Sequence, residues 1–216
     1  MKTIYLIRHG ESTFNVAYDN KVDPYLFDAR LTQVGENQAS QLSEHVMEHL
    51  KDVELVITSP LTRALETTKR SLSKLLESNS NIKCIVSPLH REVLMTSDDN
   101  GRERSIIEKE YPEFDFQSLE ERWWIPEFCP ELKSDLSIDT HKVFMKTPFR
   151  ESESLFLERI RQFKQLLLSR PESNIAVVGH GDFFYYLLDE KMEDIPNCKI
   201  IKWLIDSTVE PSYLNF

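Results

Sequence analysis

Four short apolar runs punctuate the chain, at residues 3–7, 53–57, 82–86 and 174–178. Each is rich in β-branched residues and bounded by polar or turn-forming ones, the pattern of strands buried on both faces. Between them the apolar period lengthens to that of a helix. Over residues 31–50, Ala39, Leu42, Val46 and Leu50 recur at helical spacing behind Thr32, which reads as an N-cap. Pro60 opens a second helix to about residue 77, with Leu61, Ala64, Leu65, Leu72, Leu75 and Leu76 on its apolar side. Residues 153–169 form a strongly amphipathic third helix, residues 182–188 start a fourth, and residues 197–205 read as a final, antiparallel strand. This alternation predicts an α/β fold: a three-layer α/β/α sandwich on a mostly parallel sheet with one antiparallel edge strand.

Residues 96–150 break the pattern. Trp123, Trp124 and prolines such as Pro112, Pro126 and Pro130 interrupt any clean period, and only residues 104–110 read as a short helix, with irregular structure beyond. We expect one domain over residues 1–216, with 96–150 as an insertion that acts as a lid or binding element. The two tryptophans are expected to anchor it to the core.

Composition narrows the function. Hydrophobic residues are 40% and charged residues 29%, ordinary for a globular enzyme. Lys and Arg number 26 against 36 Asp and Glu, a net charge of −10. Such a chain repels nucleic acid and anionic membranes, so neither is expected as a partner, and an anionic substrate needs a local basic cluster. Cys84, Cys129 and Cys198 form no CxxC pair and are an odd number, which suits reduced thiols in a cytoplasmic protein. No 18-residue apolar run offers a membrane span, and the first apolar run is too short for a signal peptide. His45 and His49 stand at i, i+4, but without a HExxH arrangement they read as solvent-facing. Asp98-Asp99 reads as a solvated loop, since nothing nearby completes a coordination set. No metal or cofactor is expected.

In sheets of this kind ligands bind beyond the carboxyl ends of the strands. The segments that follow the four strands are Arg8-His9-Gly10-Glu11-Ser12, Thr58-Ser59-Pro60-Leu61-Thr62-Arg63, Leu89-His90-Arg91-Glu92 and Gly179-His180-Gly181-Asp182. Histidines, arginines and a carboxylic acid converging on one edge suit phosphoryl transfer. Arginine forks hold the charge spread over phosphoryl oxygens, a neutral imidazole attacks phosphorus, and a carboxylic acid protonates the departing oxygen. With five glycines in the chain, no Gly-rich phosphate loop exists.

Ile7-Arg8-His9-Gly10-Glu11-Ser12-Thr13-Phe14-Asn15 resembles the RHGE signature of the histidine phosphatase superfamily, the phosphoglycerate-mutase-like fold. Leu31-Thr32-Gln33-Val34-Gly35 with Gln38-Ala39 is similar to that family's LTxxGxxQA segment, and residues 58–67 to its SPLxRAxET segment. Val178-Gly179-His180-Gly181 resembles its second-histidine motif, and the four segments come in family order. The resemblance implies that His9 is the phosphorylated nucleophile, that Arg8 and Arg63 bind phosphate, and that His180 completes the pocket. It places Asn15 as a polar phosphate contact and Glu92 as the proton donor. Asp182, just past the second histidine, is the competing acid.

After Glu92 the chain reads Val93-Leu94-Met95-Thr96-Ser97-Asp98-Asp99, unlike the run that follows the glutamate in the cofactor-dependent mutases. That favours the phosphatase-like branch. The expected activity is metal-independent phosphomonoester hydrolysis through a phosphohistidine. The alternatives are a phosphoglycerate-mutase-like phosphotransferase and a catalytically weak phosphate-binding module. The expected partner is a phosphorylated small molecule, with a phosphoprotein as the other option, and no feature specifies an oligomeric state. Glu11 and Ser12 are expected to brace the loop. His90 and Arg91 flank the candidate acid, one of them a candidate to face the site, and Arg102 and Arg104 read as exposed charges at a helix start.

Overall fold

The computed structural model describes residues 2–20, 22–205 and 207–216. Strands β1 (Lys2–Arg8), β2 (Leu55–Thr58), β3 (Lys83–Val86) and β4 (Asn174–Gly179) are parallel to their sheet neighbours within this set. β5 (Ile200–Ile205) lies antiparallel beside β1, and β6 (Ser212–Tyr213) antiparallel beside β5. The order across the sheet is β3-β2-β4-β1-β5-β6, so the mostly parallel sheet with an antiparallel edge is present as expected.

Side chains alternate across the sheet as the pleat requires. Ile4 and Leu6 of β1 pack into one layer, Tyr5 and Ile7 into the other. Ile175 and Val177 of β4 join the first, Ala176 and Val178 the second. The second layer holds α2 (Gln33–His49) and α3 (Thr62–Ser78). The first holds α7 (Glu153–Ser169) and α8 (Gly181–Leu187), which contribute Phe156, Phe163, Phe183 and Phe184. Thr32 caps α2 by accepting from the Gly35 amide at 3.0 Å, as its sequence position predicts. α3 has no side-chain cap of its own. The buried Asp28 serves its first turn from afar, accepting from the Thr62 amide at 2.8 Å.

Between β3 and α7 the chain forms α4 (Arg104–Glu110), α5 (Pro130–Ser134) and α6 (Thr140–Lys146). α4 matches the predicted helix. α5 and α6, like α1 (Thr13–Ala17), lie where no helix was expected; each starts at a local signal, Pro130, Asp139 and Ser12 respectively, rather than on an apolar period. This segment packs on the α2–α3 side, with Ile107, Phe116, Trp124 and Phe144 in one cluster with Ile7, Val56 and Val178. Trp123 and Trp124 are buried edge to face at 5.5 Å, and the Trp123 indole donates to the Arg102 carbonyl at 3.0 Å. They are anchors, as expected. Gly101 is required there, since a Cβ would lie 2.1 Å from the Trp123 ring.

Arg122 fastens the far part of the segment. Its Nη1 donates to the carbonyls of Leu132 and Asp135 at 2.6 and 2.9 Å, its Nη2 to those of Leu136 and Ile138 at 3.1 and 2.7 Å. Among the described residues no helix is long and apolar enough to cross a membrane. Cys84, Cys129 and Cys198 are free thiols.

Candidate active site

β1 and β4 lie side by side, and the residues that follow their carboxyl ends meet. His9 directly follows β1 and His180 directly follows β4, with ring centroids 5.3 Å apart. The four sequence motifs brace one another here. The Gly10 amide donates to Thr67 Oγ1 at 3.0 Å, the Glu11 amide to Gln38 Oε1 at 2.9 Å, and Thr32 Oγ1 to the Glu11 carboxylate at 2.6 Å. Gly35 passes so close that a Cβ on it would lie 2.0 Å from the Glu11 carbonyl oxygen. Ser59 Oγ sits 2.8 Å from His180 Nε2. The residues shared by the motifs are thus largely those that fix the His9 loop, and Glu11 and Ser12 take the bracing roles expected of them.

His9 is buried, with Nδ1 2.7 Å from the Gly10 carbonyl oxygen. A carbonyl only accepts, so Nδ1 carries the proton and Nε2 keeps its lone pair. Burial, then Arg63 and Arg8, push the His9 pKa well below the ordinary histidine value, so the ring is neutral. His180 is held neutral in the same way, by burial, then Arg63 and His9. It stands behind His9 and is absent from the cavity wall.

A cavity of about 250 Å³ opens above His9. Arg8, Arg63, Asn15, Glu92 and Asp182 line it, and so do Tyr18, Met95, Thr96, Asp98 and Asp99. Five of the six residues predicted from the sequence therefore share one cavity, with His180 beneath it. Asn15 uses Oδ1 to accept from the Ser12 amide at 3.0 Å, in the capping box of α1, so it serves both the turn and the cavity wall. Arg8 is set by a bond from Nη1 to the Ile195 carbonyl, and Arg63 Nη1 donates to the Asp98 carbonyl at 2.6 Å.

Glu92 reaches the site from the segment after β3. Its carboxylate accepts from the amides of Val93, Asp182 and Phe183 at 2.9, 3.2 and 3.1 Å, and so sits at the start of α8. Burial, with Asp182 and Asp99 nearby, outweighs those donors and pushes its pKa up to about 8. The acid form is therefore the resting form at neutral pH, which suits a proton donor. Asp182 is also raised, by burial and by Asp99. Arg159 of α7 holds the Glu92 segment in place: Nη1 donates to the carbonyls of Leu89 and Arg91 at 3.0 and 2.6 Å, Nη2 to that of Glu92 at 3.2 Å.

The structure corrects several readings. Asp98 and Asp99 are buried rather than solvated, and both pair with Arg63, at 3.2 and 3.0 Å. Thr96 with Asp99 forms a capping box, the one sequence signal that marks this turn. Asp98 is pushed up to about 7, chiefly by burial and by Asp99. Arg102 is committed to Asp28 and Glu110 at 2.8 and 2.9 Å, and Arg104 lies 3.7 Å from Glu108. Neither His90 nor Arg91 lines the catalytic cavity. His90 bonds the Val178 carbonyl at 3.1 Å and stacks on Phe163. His45 stacks on Phe216 with ring centroids 4.0 Å apart, while His49 stays solvent-accessible as expected.

The chain matches the histidine phosphatase superfamily (branch 1) over residues 4–208. It is 27% identical over 221 residues to "Phosphoglycerate mutase-like protein 1" of Arabidopsis thaliana, an alignment covering 87% of this chain and 71% of that one. It is 28% identical over 197 residues to a Schizosaccharomyces pombe protein named "Probable phosphatase", covering 89% and 81%. The mycobacterial glucosyl-3-phosphoglycerate phosphatase shares its fold, with a TM-score of 0.55 at 17% identity over 100% of this chain and 99% of that one. Sequence match, sheet order and the meeting of the four motifs agree, and the chain belongs to branch 1 of the histidine phosphatase superfamily.

Proposed function

We propose that the protein hydrolyses phosphomonoesters without a metal, through a phosphohistidine on His9. The observation that carries this reading is the Nδ1 contact to the Gly10 carbonyl, which leaves Nε2 as a neutral nucleophile facing a cavity with two arginines. Nε2 attacks phosphorus, and the ester oxygen leaves with the proton of Glu92. The resulting carboxylate takes a proton from water, whose oxygen displaces His9 from phosphorus. Arg8 and Arg63 offset the charge on the phosphoryl oxygens, and Asn15 adds a neutral amide. The substrate is a phosphorylated small molecule, and Asp182 is the second candidate for the acid.

The relatives named as mutase-like support a second reading, phosphoryl exchange between positions of a phosphoglycerate. The run after Glu92, Val93-Leu94-Met95-Thr96-Ser97-Asp98-Asp99, which departs from that of the cofactor-dependent mutases, speaks against it. Hydrolysis of an aryl phosphate in the presence of chelator, by wild type and by His9→Ala, tests the proposal. Turnover that survives chelation and falls about 10⁴-fold or more in the variant is expected. Substantial turnover by His9→Ala overturns it, and isomer exchange of phosphoglycerates without release of phosphate favours the second reading.

A further inference from the structure

The proposed mechanism leaves the buried Arg91 without a role. Arg91 precedes the candidate acid, and its side chain is 8% exposed. Its Nη2 reaches Glu151 Oε1 only at 3.4 Å, and its Nε has no partner. Glu151 is already held by Arg159, whose Nε and Nη2 pair with its two oxygens at 2.9 and 2.5 Å. Two guanidiniums therefore share one carboxylate, and Arg91 is the less closely paired of the two. A buried cation matched this poorly is costly unless a further anion completes it.

Arg91 and Glu92 diverge. Glu92 lines the catalytic cavity, whereas Arg91 lines a separate one of about 640 Å³ between α7 and the segment before α5. The walls of this second cavity are apolar, formed by Leu89, Trp123, Ile125, Phe128 and Leu155. The volume is that of small-molecule sites, which pair apolar walls with a few polar groups. On the rim Glu120 and Glu127 both pair with the one Lys133, and Glu158 pairs with Arg161.

We infer that this cavity is a binding site for a small amphipathic carboxylate. The carboxylate completes the coordination of Arg91, and an aliphatic or aromatic body lies along Leu89, Ile125, Phe128 and Leu155. The site rests on this cavity alone and does not depend on the phosphatase reading.

Titration calorimetry of 4-phenylbutyrate and hexanoate into the full chain tests it, with the corresponding alcohols as uncharged controls. Saturable one-to-one binding is expected, unaffected by saturating inorganic phosphate, with the alcohols about tenfold weaker or worse. Arg91→Met, which keeps the bulk and removes the charge, is expected to weaken the acids by a similar factor. Leu155 is 45% exposed, so Leu155→Glu spares the fold while setting a negative charge on the wall, and it is expected to abolish binding. Three results overturn the assignment: no saturable binding at millimolar acid, displacement by phosphate with loss in His9→Ala, or unchanged affinity in Leu155→Glu. Uptake of an acidic, aromatic-bearing peptide by a cavity that ignores these acids overturns it in favour of a protein partner.

Discussion

His9 and Arg122 are both polar and almost fully buried, yet they are held in opposite ways. His9 continues from a strand with parallel and antiparallel neighbours, and its loop is braced by short neutral or singly charged contacts from α2 and α3. Its place follows from where β1 ends. Arg122 belongs to no helix or strand, and one guanidinium gathers four carbonyls, of which that of Asp135 also accepts from the Ile138 amide. The region around it is held by charge: Arg122, the Arg159–Glu151 pair, and Asp98 and Asp99 on Arg63. The proposed nucleophile is thus placed by the sheet, and the candidate acid by a network of ions.

Arg63 joins the two regions, so removing it breaks the contrast hardest. Arg63→Met leaves two buried carboxylates without a cation, a loss of about 3–5 kcal/mol. Asp98, already raised by burial and by Asp99, then rises further above its unfolded value, so the lost stability returns as pH falls and worsens as it rises. Thermal denaturation across pH 5–8 reads this, and a pH-independent loss below about 1 kcal/mol would show that the pairing holds nothing in place.

Glu92→Gln comes next. An alkyl phosphate, whose leaving oxygen needs a proton, is expected to turn over about 10²–10⁴-fold more slowly. An aryl phosphate with an acidic leaving group should lose far less. Wild-type kcat/KM should decline above about pH 8, where Glu92 gives up its proton, and that decline should vanish in the variant. Gly101→Ala presses a methyl group onto Trp123 and is expected to cost about 1–3 kcal/mol, while phosphate affinity at His9 changes little. Calorimetry of unfolding and of phosphate binding separates the two quantities. Asp182→Asn is the mildest change, with kcat reduced less than about tenfold. If it is instead worse than Glu92→Gln, the acid is reassigned to Asp182.

The same division explains what the sequence makes legible. Strand and long-helix periods come from burial on defined faces, so β1, α2, α3 and α7 are readable to within a few residues. The residues after the strand ends are readable for the same reason, since the end of an apolar run marks where His9, Arg63, Glu92 and His180 leave the sheet or its nearest turn. Asp98 and Asp99 are not. Their burial depends on Arg63, 35 and 36 residues away, and no local period carries such a pairing. Asp28 under α3 and the Arg159–Glu151 pair escape for the same reason.

Arg122 also sets how the molecule comes apart in time. A stretch pinned at four carbonyls by one side chain has no partial way to loosen, because each bond constrains the same planar group. Amides over residues 132–138 should therefore exchange with solvent at a common rate, distinct from that of the sheet. A protease meeting the folded chain would cut there only during those shared openings, and the rate of cleavage would report on a single arginine.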